Sequence, residues 1–201
     1  MEAPTLPDVL TDLWRRLERG ATERRHPYHQ PVVSSMGEDA SPRSRTVVLR
    51  NADRDGASLV FHTDARSPKC AELRANTALT WTFYDPASKV QLRVRSRAEV
   101  LTTGEIVDQR WANTRAMGRR CYLAPRTPGV SVGDQPDPNL PEALRHREPT
   151  EQESKPGRAN FAVVRCAIES VDWLHLRHDG HRRAQFVFRD RKPDGGAWLA
   201  P

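Results

Sequence analysis

Cysteine is scarce in this chain of 201 residues: three occur, at positions 70, 121 and 166, and no two form a C-x-x-C pair. An odd, scattered set argues against a disulfide framework or a cysteine-built zinc site. Cys70 and Cys166 are expected as small buried apolar side chains. Aromatic residues are only 6% of the chain, which leaves few platforms for stacking single-stranded nucleic acid. No apolar run reaches the roughly 18 residues of a membrane-crossing helix, so no membrane partner is expected. The opening Met1-Glu-Ala-Pro-Thr5 lacks the basic and apolar regions of a signal peptide, and a cytoplasmic location is the default expectation. Also missing are G-x-G-x-x-G after a strand, a Walker A sequence and a G-x-S-x-G elbow, which disfavours Rossmann, P-loop and serine-hydrolase chemistry.

Charge, in contrast, is abundant: 32 Lys and Arg against 26 Asp and Glu give a net +6. The arginines are spread through the chain rather than gathered in one stripe. They suit solubility or small anionic ligands, and no nucleic-acid partner is expected. The hydrophobic fraction of 37% is low, and chains of this kind often complete their burial at a subunit interface.

Leu6, Val9, Leu10, Leu13 and Leu17 follow helical spacing, with Thr5 as N-cap and Gly20 as a stop. Strands are predicted over 30–36, 43–51 and 57–63, the last two joined by a hairpin at Asp55-Gly56. Ser67-Pro68 opens a short helix to about Asn76, and strands follow over 78–84 and 89–101. Thr102-Thr-Gly-Glu105 has capping-box spacing and opens a helix to about Arg119. Prolines crowd 125–156, which reads as loop with one helical turn near 140–147; strands over 160–176 and 182–189 close the chain around Asp179-Gly180. One domain over 1–201 is expected, with a helix over 1–20. Many antiparallel strands with few helices favour a small barrel over a parallel sheet.

Two segments carry chemistry. Arg45-Thr-Val-Val-Leu-Arg50 places guanidinium groups at both ends of an apolar strand, where each can fork onto phosphate oxygens. Positions 45 and 50 point to opposite faces of an ideal strand, so a bulge or a strand end is needed for both to reach one ligand. Thr63, Ser67 and Lys69 surround a strand-to-helix corner, where free backbone N–H groups favour an anion; Ser67 could equally serve only as a helix cap. His175, His178 and His181 form H-x-x-H-x-x-H, but extended spacing and the Asp179-Gly180 turn keep them from converging, so no metal site is expected.

These segments resemble the pyridoxamine 5′-phosphate oxidase family. The resemblance rests on Arg45 to Arg50, the pair His62-Thr63, Ser67-Pro68-Lys69, Gln91 in Val90-Gln-Leu-Arg-Val, and Trp173 followed ten residues later by Arg183. It spans roughly residues 20 to 201. It implies a mainly β fold, an antiparallel Greek-key split β-barrel with flanking helices, and a homodimer binding FMN in a cleft between subunits. The implied cofactor residues are Arg45, Val47, Val48, Arg50, His62, Thr63, Ser67, Lys69, Gln91, Trp173 and Arg183. Gln91 would touch the flavin ring, and Trp173 and Arg183 would close the site.

Departures from the family pattern fall on the substrate side. The Tyr, Arg and Ser that hold the substrate phosphate in family enzymes correspond here to Trp111, Arg115 and Arg119, and an Arg two residues before His181 is replaced by Asp179. Arg to Asp reverses a charge beside an anionic substrate. The expectation is therefore an FMN-dependent oxidoreductase acting on a different small substrate. Arg115 and His181 are the foremost substrate-orienting candidates, with Trp111 and Arg119 beside them, and Arg119 is a possible replacement donor. The alternatives are a true pyridoxamine/pyridoxine 5′-phosphate oxidase with a rebuilt pocket, or a non-catalytic flavin or haem carrier.

Overall fold

The computed structural model describes residues 4–201. Helix α1 (Leu6–Thr22) opens with a full capping box: the Thr5 hydroxyl accepts from the Asp8 N–H, and the Asp8 carboxylate accepts from the Thr5 N–H. Val9, Leu13, Trp14 and Leu17 form its buried stripe. Gly20 does not stop this helix. A Cβ there would lie 2.8 Å from the Tyr28 Cβ and 2.9 Å from the Tyr28 carbonyl oxygen, so glycine is needed for the close approach of the Pro27–His29 turn. Residues 1–3 of the expected 1–20 helix lie outside the described residues.

Among the described residues, nine strands form one antiparallel sheet: β1 (Val32–Met36), β2 (Pro42–Thr46), β3 (Leu49–Asp53), β4 (Ser58–Asp64), β5 (Ala78–Asp85), β6 (Val90–Leu101), β7 (Phe161–His175), β8 (Arg182–Arg189) and β9 (Lys192–Leu199). Their order is β2-β1-β5-β6-β7-β4-β3, with β8 and β9 branching from the upper half of β7. Because β7 serves β4 at one end and β8 at the other, the sheet splits there, and the fold is a mainly β, antiparallel split barrel with flanking helices. Inward-facing Val33, Leu49, Leu59, Phe61, Trp81, Phe83, Leu92 and Val94 fill it beneath α1. A second, outward cluster joins Val60, Val107, Trp111, Tyr122, Phe161 and Val163.

The structure corrects further sequence expectations. The strand predicted over 43–51 is two strands: β2 pairs with β1, β3 pairs with β4, and Val47-Val48 cross between them. The helix predicted from Glu105 to Arg119 is two, α3 (Glu105–Ala112) and the short α4 (Ala116–Arg119), and α3 has Gly104 rather than a threonine at its N-cap. In the 125–156 segment the expected helical turn near 140–147 is present as a 3₁₀ turn at Glu142–Leu144, and the correction is a further helix, α5 (Glu151–Ser154); Arg126–Asp137 and Arg147–Glu153 ion pairs anchor the segment. Strand β9 was not foreseen.

Candidate functional site

The Thr63–Lys69 corner is built by the exit of β4 into helix α2 (Pro68–Ala75). Ser67 occupies the N-cap position, yet its hydroxyl makes no capping bond. Instead the Lys69 ammonium donates to the Thr63 hydroxyl at 2.9 Å and to the Ser67 hydroxyl at 3.2 Å. Lys69 is half-buried and makes no ion pair among the described residues. Burial first, and the neighbouring Arg45 charge after it, hold its pKa below the usual lysine value. Arg45 donates to Glu72 at 2.9 Å and to the Ser35 hydroxyl, and Glu72 is only 5% exposed. The corner thus holds three cations, Arg45, Arg66 and Lys69, against the two carboxylates of Asp64 and Glu72, a net positive charge beside the two hydroxyls that Lys69 engages.

Val47 is buried in the main core and Val48 half-buried in the crossover. A bulge lies at Arg50, where the register shifts between Leu49 and Asn51. That bulge leaves Arg50 exposed, on the side of His62 rather than of Lys69. His62 faces outward, opposite to Thr63, and meets the edge of Phe161 at 4.8 Å. Its Nε2 is buried without a partner. Burial, then Arg50 and Arg110, depress its pKa to about 3, so the imidazole is neutral at ordinary pH.

Strand register assembles a second cluster. Gln91 pairs with Leu174, and Leu174 pairs with Arg183; in the adjoining row Arg93 pairs with Asp172, and Asp172 with Gln185. Directly opposed residues share a face, so these six form one outward block. Gln91 and Arg183 flank Leu174, about 10 Å apart at two strand spacings. Asp172 accepts from Arg183 at 2.6 Å and from Arg93 at 2.8 Å. Trp173 does not join this block. It pairs with Leu92 and Ala184, faces inward, is 4% exposed and leaves its indole Nε1 without a partner. The expected pairing of Trp173 and Arg183 on one surface is therefore not what the register gives.

Beyond the barrel, Arg115 is exposed at the N-cap of α4. Trp111 packs at 5.2 Å on Phe161 and 5.9 Å on Tyr122. Arg119 is buried, lies over the Trp111 ring and donates to the carbonyls of Trp111 and Ala112 and to Ser154. These two side chains build the second core, and Arg119 is not placed as a replacement phosphate donor. His181 is exposed and its Nδ1 accepts from the Arg177 N–H, while Asp179 is held by Arg177 at 2.6 Å. Among the described residues no cluster of three His, Cys, Asp or Glu is grouped to hold a metal ion, and no helix is long and apolar enough to cross a membrane. Sequence reasoning missed Ser35, Glu72, Arg93, Asp172 and Leu174. The last three had a signal, since each stands two positions along a strand from a residue of the block or pairs with one.

The antiparallel split barrel defines the fold class of this chain. Residues 11–102 match the family model described as pyridoxamine 5′-phosphate oxidase, FMN-binding domain. The chain is 30% identical over 176 residues to pyridoxine/pyridoxamine 5′-phosphate oxidase 2 of Arabidopsis thaliana, covering 82% of this chain and 83% of that protein. It is 27% identical over 168 residues to the pyridoxine/pyridoxamine 5′-phosphate oxidase of Myxococcus xanthus strain DK1622, covering 78% and 80%. Among solved structures, a pyridoxamine 5′-phosphate oxidase-related, FMN binding protein from Nostoc punctiforme shares the fold at TM-score 0.69 and 18% identity, over 100% of both chains. PhzG from Burkholderia lata 383, solved with tetrahydrophenazine-1-carboxylic acid, gives the same score and identity over 100% and 95%. The chain belongs to the pyridoxamine 5′-phosphate oxidase family.

Proposed function

We propose that this protein is a homodimeric FMN-dependent oxidoreductase whose small substrate differs from the vitamin B6 phosphates. The observation that carries the reading is the Lys69 ammonium, half-buried, donating to two hydroxyls and paired with no carboxylate among the described residues. Such a group is stabilised by an incoming phosphate, and each charge-assisted bond contributes about 1.5–3 kcal/mol. Ser67 and Thr63 add hydroxyl donors, and Arg45, held by Ser35 and Glu72, adds positive charge for the same anion. Unpartnered His62 Nε2 and the Gln91–Leu174–Arg183 row fit the rest of FMN: an apolar strip under a flat ring, with a hydrogen-bonding side chain at each end.

When bound, FMN supplies hydride-transfer chemistry. The chain's own groups bind and orient. Arg45 and Lys69 anchor the phosphate, Gln91 and Arg183 fix the ring, and exposed Arg115 and His181 orient the substrate. None of the described side chains is assigned as a proton donor or acceptor in the reaction.

The test is the visible spectrum of the purified protein, followed by FMN titration of Lys69→Ala and Arg45→Ala/Lys69→Ala. A yellow wild type is expected, with affinity weaker by roughly 10–100-fold in Lys69→Ala. A colourless wild type that also refuses added FMN ends the reading. A second reading, oxidation of pyridoxamine 5′-phosphate itself, draws on the name of the 30% identical Arabidopsis relative and on exposed Arg115. Turnover of that compound by the flavin-loaded protein decides for it. Against it stand the packing of Trp111 and Arg119 into the second cluster and the acidic Asp179.

A further inference from the structure

The outward block contains more charge than a ring platform requires. Arg183 directs Nε at 3.1 Å and Nη2 at 2.6 Å to the same Asp172 oxygen, and Arg93 reaches that oxygen from the other side at 2.8 Å. Asp172 is the most enclosed member, its side chain 12% exposed against 29% for Arg183 and 49% for Arg93. Two hydrogen-bonded guanidinium groups hold the carboxylate ionised, their pull exceeding the opposing effect of burial. One face of each guanidinium is therefore spent on Asp172, and the row nets a single positive charge. Arg183 Nη1 makes no bond among the described residues, on a residue that stands directly opposite Leu174.

From this arrangement we infer that Asp172 is a positioning residue: it locks the Arg183 fork in the orientation that meets the flavin ring and, with Arg93, sets the charge that tunes the cofactor's reduction potential. The inference rests on the FMN reading above and adds residues that reading does not use. Arg183 alone, unfixed, would swing on a flexible stem; a two-bond fork on a carboxylate removes that freedom. A carboxylate beside the ring disfavours added electrons, and each nearby guanidinium favours them. The row thereby sets the balance between the two redox states through charges fixed in place before the cofactor arrives.

The measurement is the midpoint potential of FMN-loaded full-length protein, compared among wild type, Asp172→Asn, Asp172→Glu and Arg93→Gln. Asp172→Asn keeps the size and one acceptor but deletes the negative charge. It is expected to favour the reduced cofactor over the oxidised one by about tenfold, a positive shift of about 30 mV for a two-electron couple. Arg93→Gln deletes a positive charge and is expected to shift the potential the opposite way. Asp172→Glu keeps the charge and should stay near the wild-type potential. Opposed shifts separate electrostatic tuning from mere loosening, because loosening moves both variants in one direction. Equal-sign shifts, or no shift in either charge variant, overturn the role given to Asp172 while leaving FMN binding intact. Should Asp172→Asn not fold, the sign of the Arg93→Gln shift and the position of Asp172→Glu still decide. A wild type that binds no FMN instead overturns the function reading.

Discussion

His62 places a titratable ring where burial and two arginines leave no room for a proton. Its pKa falls from 6.5 to about 3 in the folded chain. The unfolded chain takes up that proton first as pH drops, so the neutral ring contributes stability that is intact above about pH 6.5 and lost progressively down to about pH 3. His62→Phe keeps the edge contact with Phe161 and removes the titration. Urea unfolding at pH 7 and pH 5 should show the wild type losing more stability than the variant across that interval. Equal losses would mean that the ring is protonated in the native state or exposed. The same substitution reports on ligand contact at no extra effort: if the buried Nε2 bonds the cofactor, FMN affinity falls at pH 7, where the stability effect is silent.

At the scale of elements, the close approach at Gly20 makes a sharp case. Alanine is favoured over glycine in a helix interior by roughly 1 kcal/mol. Here the added Cβ meets the Tyr28 Cβ and backbone at 2.8–3.0 Å, atoms that cannot swing aside. Overpacking of that kind costs about 1–3 kcal/mol and outweighs the propensity gain. Gly20→Ala should lower the thermal midpoint; a rise would show that the Pro27–His29 turn shifts freely. The same residue shows how legibility varied. The apolar stripe, Thr5 cap and Asp55-Gly56 hairpin were readable because periodicity and turn chemistry are local. Gly20 read as a stop because its partner lies across space. Arg45 to Arg50 read as one strand because a continuous Val-Val-Leu run gives no hint of where pairing changes from β1 to β4. Lys192-Pro-Asp-Gly-Gly196 has no apolar alternation, and β9 exists by backbone pairing with β8 at an edge where proline and glycine are tolerated. At the site, the spacing of Trp173 and Arg183 was visible but their faces were not. Register decides faces: Trp173 meets Ala184, which turns Arg183 to the other side of the sheet.

For the whole molecule, the arrangement of the two clusters has a consequence for assembly. Arg45 shares a row with inward-facing Val33 and bonds buried Ser35 and Glu72, whereas Gln91 and Arg183 face outward. Within one chain the sheet itself lies between the phosphate corner and the ring row. The outward face also exposes Val32 at 39%, Met36 at 40%, Tyr84 at 43% and Val187 at 41%, all in register on one side with Arg93 and Arg95. A second copy seated on this face would cover those apolar side chains, and the proposed dimer requires the β4–α2 end of that copy, where its corner lies, to reach this row. Complementation tests that geometry directly. Lys69→Ala disables a corner and Arg183→Ala a row, so each variant alone should hold FMN poorly while remaining dimeric in sedimentation. Unfolding and refolding an equal mixture gives heterodimers in which one intact corner faces one intact row. About a quarter of all sites should then recover wild-type affinity, the share expected from random pairing of two subunits. A site contained within one chain recovers nothing on mixing. Tyr84→Glu, which sets a charge opposite Gln91 in the same row, should shift the dimer toward monomer and release FMN in parallel. Full FMN binding by a monomeric Tyr84→Glu would place the cofactor within a single chain.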